Sequence, residues 1–117
     1  MEWEVLVDED FRAWFDAVDE GLQDAILSCV TVLAQQGPAL GRPRVDSIAG
    51  SEHSNMKELR IQYHGNPWRI LFAFDSRRRA VLLIGGNKAE DKRWYERNIP
   101  IADRRFERHQ QGLEREV

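Results

Sequence analysis

The sequence predicts an α+β domain in which two N-terminal helices pack on a small, mostly antiparallel sheet, in the order β-α-α-β-β-β-α. Three observations carry this. Apolar residues recur at helical spacing between Asp8 and Gln36, three β-rich runs separated by turn residues fill positions 56–84, and a charged helical segment follows. At 117 residues the chain has room for a single domain, 1–117, and one modest core.

Residues 3–7 alternate and carry β-branched side chains, which predicts a short first strand. Asp8, with Glu9 and Asp10 behind it, is an N-cap and acidic first turn. Phe11, Trp14, Phe15, Val18 and Leu22 then form one apolar helical face, which Gly21 interrupts or ends. Ala25, Ile26, Cys29, Val30 and Leu33 form the buried side of a second helix, stopped at Gln36-Gly37-Pro38. Residues 37–55, with three glycines and two prolines, read as a long connection.

Residues 56–63 form the next strand, with hairpin chemistry at His64-Gly65-Asn66. Residues 68–74 are nearly all apolar and predict a central strand; residues 80–84 form the last, ended by Gly85-Gly86-Asn87. From Glu90 to about Glu114 the chain has helical character, broken by Pro100.

Composition excludes several classes. Apolar residues make up 42% and charged residues 32%, a globular mixture rather than a disordered one. No apolar run approaches the roughly 18 residues that span a bilayer. The acidic N-terminus is unlike a signal peptide, and the single cysteine offers neither a disulfide framework nor a cysteine-based zinc site. A cytoplasmic protein is expected. Net charge is −3, but residues 1–55 carry 3 basic and 11 acidic side chains while residues 56–117 carry 14 and 9. The second half therefore offers a basic face, although the overall field repels phosphate.

Arg69 lies inside the most apolar strand, where an arginine must reach an open face or be paired. The period of two puts Arg69, Leu71 and Ala73 on one face and Trp68, Ile70, Phe72 and Phe74 on the other, which meets the helices. Arg60 joins Arg69 on the open face, with Lys57 on the opposite one unless it leans around the strand end. A set of Glu58–Arg ion pairs on a wet sheet face accounts for the same pattern without function. After the last strand, Lys88 and Tyr95 are seven residues apart and align on one helical face, suited to a phosphate and a base. Docking of Trp94 or Tyr95 onto the sheet is the plainer alternative. His53, His64 and His109 are scattered without ligand spacing and form no metal site.

Together, Met56-Lys57-Glu58-Leu59-Arg60, Trp68-Arg69-Ile70-Leu71-Phe72-Ala73-Phe74 and Leu82-Leu83-Ile84-Gly85-Gly86-Asn87-Lys88 resemble the centre of HigB-type toxins, the phage-derived branch of the RelE/ParE superfamily. The resemblance covers about the last 60 residues by motif and the whole chain by element order. It implies a RelE-like fold and the toxin of a type II toxin–antitoxin pair, a metal-independent endoribonuclease that cuts mRNA on the ribosome without a cofactor. It further implies Lys57, Arg60, Arg69, Lys88 and Tyr95 as the catalytic set. Ala89 stands where relatives place a second basic residue, so Lys92 or Arg93, both expected to bind RNA, would have to substitute as the transition-state cation. The implied partners are mRNA, the ribosome and a helix-turn-helix antitoxin in a hetero-oligomer, and the cationic face itself calls for an antitoxin that covers it or displaces the C-terminal helix from it. A ParE-like gyrase inhibitor and a non-catalytic antitoxin-binding module are the rival readings.

Overall fold

The computed structural model describes residues 2–115. The elements are β1 (Val5–Val7), α1 (Glu9–Ala17), α2 (Glu20–Gln36), a 3-10 turn (Gly37–Ala39), β2 (Val45–Ser47), β3 (Lys57–Tyr63), β4 (Asn66–Phe74), β5 (Ala80–Asn87) and α3 (Trp94–Arg115). They build one five-stranded sheet in the order β1-β5-β4-β3-β2, parallel only between β1 and β5. The seven expected elements occur in the expected order. The connection at 37–55 hides an eighth, the edge strand β2, whose three residues pair with Lys57–Leu59.

Asp8 caps α1 as its type and position predict, accepting from the backbone N–H groups of Asp10 and Phe11 at 2.9 and 3.4 Å. The break before α2 lies at Val18 and Asp19, both extended, and not at Gly21, which is inside α2. Gly21 instead leaves room for the Tyr63 phenol, whose hydroxyl donates to Asp19 at 2.7 Å. Pro100 does not break α3 either. An interior proline costs about 3 kcal/mol, but Trp94 and Ile99 before it, and Ala102, Phe106 and Leu113 after it, are all buried.

The second sheet face is not open along its length. Phe11, Leu22, Ile26, Leu33, Ile70 and Phe72 form a core with α1 and α2, as the period of two requires. A second core of Met56, Leu71, Ala73, Val81, Leu83, Trp94, Ile99 and Phe106 lies under α3. A register shift opposite Leu71/Phe72 turns both Leu83 and Ile84 toward α3. Beyond it, Gly85 faces the Trp14 ring and Gly86 the Trp94 indole; a Cβ on either would lie 2.5–2.6 Å from ring atoms. These two glycines make room for two indoles rather than for a ligand.

Candidate active site

The uncovered part of the α3 face lies toward the β3–β4 hairpin. Strand register sets Arg60 opposite Arg69 and Arg69 opposite Gly86, a row running across three strands. Glu58, two residues before Arg60 and therefore on the same face, is only 4% exposed. Its carboxylate is the hub of the cluster. Oε2 accepts from Arg60 Nε at 3.0 Å, and Oε1 accepts from the Tyr95 hydroxyl at 2.5 Å. Arg69 Nε stands 3.6 Å from Oε1, close enough for charge attraction but without a hydrogen bond. Arg69 Nη1 donates to the Trp68 carbonyl at 3.0 Å, so its buried Nε–H is left without an acceptor.

Around this hub, Asp46 on β2 accepts from Arg60 Nη2 at 3.3 Å and from Arg42 at 3.0 Å. Lys88 Nζ lies 5.3 Å from the centre of the Tyr95 ring, and among the described residues no carboxylate pairs with it. Burial, then the hydrogen bond to Glu58 and that carboxylate's charge, push the Tyr95 phenol up to about 12, against a smaller opposing effect of Arg69. The phenol is therefore protonated at neutral pH, and its proton has a carboxylate already in place to receive it.

The structure thus brings together Arg60, Arg69, Tyr95 and Lys88. It does not bring in Lys57, whose ammonium lies 5.9 Å from the Phe74 ring on the α1–α2 side, as strand alternation alone requires. Lys92 and Arg93 are exposed in the turn before α3, and the Ala89 N–H donates to Asn87. The histidines lie elsewhere: His109 bonds Asp75 at 2.8 Å, His53 stands 3.5 Å from Glu107, and His64 packs on Tyr63 in the hairpin turn. The expectation of a freely exposed cationic face is corrected. The two arginines share a buried carboxylate. Glu58 appeared in the sequence only as an ion-pair partner, although its place in phase with Arg60 marks it as part of the face; Asp46, on an unforeseen strand, gave no signal.

A model of the family described as Phage derived protein Gp49-like (DUF891) matches residues 13–107. The chain belongs to this phage-derived family of HigB-type toxins. A Mycobacterium tuberculosis protein named "Putative toxin HigB3" is 50% identical over 95 residues, 80% of this chain and 82% of that protein. A second, "Putative toxin HigB2" of the same organism, is 44% identical over 103 residues, 86% of this chain but only 51% of that protein's length. The solved structure of a double arginine-to-alanine mutant of Escherichia coli toxin RelE in the free state superposes with a TM-score of 0.55, covering 82% of this chain and 94% of that one. At 10% identity it speaks for the fold alone. The Gp49-like chain therefore has a RelE-type fold, with the Glu58 cluster on one face of its sheet.

Proposed function

We propose that this HigB-type toxin is a metal-independent endoribonuclease that cuts mRNA at the Glu58–Arg60–Arg69–Lys88–Tyr95 cluster, with ribosome-bound message as its substrate. The observation that carries the reading is the register match of Arg60 and Arg69 beside a phenol already hydrogen-bonded to a buried carboxylate. In-line attack of a ribose 2′-hydroxyl on its neighbouring phosphate needs a proton acceptor, cations for the crowded phosphorane and a donor for the leaving 5′-oxygen. Tyr95 takes the 2′-hydroxyl proton as its own passes to Glu58, so no free phenolate forms. The guanidinium charges of Arg60 and Arg69 stabilise the equatorial oxygens. The Lys88 ammonium protonates the 5′-oxygen as the phosphorus–oxygen bond breaks, leaving a 2′,3′-cyclic phosphate and a 5′-hydroxyl; solvent then takes the proton from Glu58 and returns one to Lys88.

A net charge of −3 gives poor non-specific attraction for naked RNA, which favours a message presented by the ribosome. The test is end-labelled mRNA incubated with purified toxin, with and without ribosomes. Cleavage with cyclic phosphate ends, abolished by Arg69→Ala in a variant that still melts cooperatively, is expected. Intact RNA under both conditions overturns the nuclease reading. The neutralisation of both arginines by Glu58 and the alanine at position 89 favour a second reading, a non-catalytic module that only pairs with an antitoxin. Gyrase inhibition without RNA cuts would support neither.

A further inference from the structure

On the opposite face, an apolar groove of about 320 Å³ lies between α1, α2 and the sheet-edge strand β1. Val5, Phe11, Phe15, Ile26 and Val30 line it. The two exposed large hydrophobic residues among the described residues, Val7 at 43% and Leu27 at 52%, both belong to this lining. Scattered surface apolar residues need no explanation, but two on one concave apolar site mark a surface that awaits a cover.

The surroundings are acidic. Asp16 lines the groove, and Glu20 and Asp24 lie on the outer face of α2 in line with Leu27, at helical spacing. Among the described residues none of these three carboxylates has an ion-pair partner, and Arg12 is the one cation in the lining. Such a surface repels RNA and suits a cationic protein. β1 is only three residues long, too short a template for an added strand, whereas the groove has room for two or three side chains.

We propose that this groove receives an amphipathic helix of the antitoxin, with leucine-like anchors in the groove and lysines or arginines against Asp16, Glu20 and Asp24. This rests on the toxin–antitoxin reading and places the neutralising contact away from the Glu58 cluster. It replaces the expectation that the antitoxin covers the cationic face or displaces the C-terminal helix from it, since Glu58 and Asp46 already balance most of that charge.

The test uses the antitoxin encoded beside the toxin gene, purified and titrated against full-length toxin by calorimetry. Leu27→Glu, an exposed position where the helix tolerates glutamate, should weaken binding by at least about 30-fold while ribosome-dependent cleavage and thermal melting stay unchanged. Asp16→Lys with Asp24→Lys should weaken it independently of any packing change. Unaltered affinity in both variants, together with loss of affinity in Arg60→Ala, puts the antitoxin on the cationic face and overturns the proposal. A fall in the toxin's own oligomeric mass on Leu27→Glu makes the groove a self-contact and overturns it as well. Wild-type toxin that binds this antitoxin nowhere defeats the toxin–antitoxin reading too, whereas binding through the groove without RNA cleavage defeats the nuclease reading alone.

Discussion

The Tyr95 hydroxyl donates to Glu58 Oε1 at 2.5 Å, joining the first turn of α3 to a residue 37 positions earlier on β3. Both helix register and strand register must be right for this contact to form. Tyr95→Phe keeps the ring under Lys88 and removes the proton path. Its expected effect is a loss of about 100-fold in cleavage rate, with RNA affinity little changed. Single-turnover rates and affinities separate the two, and an unchanged rate would leave Tyr95 a docking residue.

Glu58→Gln separates charge from shape. The amide still fills the buried site, but Arg60 and Arg69 lose their shared counter-charge. Tighter RNA binding with a steeper salt dependence, accompanied by loss of cleavage, is the expected pair of results. Faster cleavage in this variant would mean that Glu58 restrains the site and takes no part in the proton path.

Lys57 supplies the negative control. Its ammonium lies on the α1–α2 side beside Phe74, so Lys57→Ala should change the cleavage rate by less than about threefold. A loss as deep as that of Arg69→Ala would show that RNA reaches around the strand end.

Gly86→Ala tests the packing of the indole. The added methyl would meet Trp94 Nε1 at 2.6 Å. Overpacking of this kind costs about 1–3 kcal/mol, read as a fall in melting temperature of several degrees. The same variant should slow cleavage, because the displaced Trp94 carries its neighbour Tyr95 with it. A melting temperature equal to the wild type's would show that the indole moves freely.

Acid stability should report on Asp75. Burial works to raise this carboxyl, but the His109 ring, the Arg79 backbone and the Arg79 guanidinium together outweigh it and hold it below its ordinary value. A carboxylate depressed in the folded state adds stability above its unfolded value of about 4. That contribution disappears as pH falls through the folded value. Melting temperature should therefore drop steeply below about pH 4 in the wild type and less steeply in Asp75→Asn. Parallel pH profiles would assign the acid loss to other groups.

Much of the fold was legible because side-chain period and burial are the same fact seen twice. Ile70 and Phe72 went to one core and Leu71 and Ala73 to the other, as alternation requires. Pro100 and Gly21 misled because local preference lost to tertiary contact: buried residues on either side of one, and the phenol of Tyr63 beside the other. β2 was invisible because three residues between prolines and glycines carry no period. In the site, alternation was enough to pair Arg60 with Arg69 and to separate Lys57. The burial of Glu58 was not legible, since it depends on α3 folding back over β3.

The parallel pairing of β1 with β5 ties the first strand to be synthesised to the last, Val5 to Ala80 and Val7 to Leu82. During translation Val5–Val7 has no neighbouring strand until Ala80–Leu82 has been made. Tyr95 comes later still, from the helix that finishes the second core. A nascent chain thus holds an unfinished sheet until β5 has been made, and the contact between Tyr95 and Glu58 closes later still.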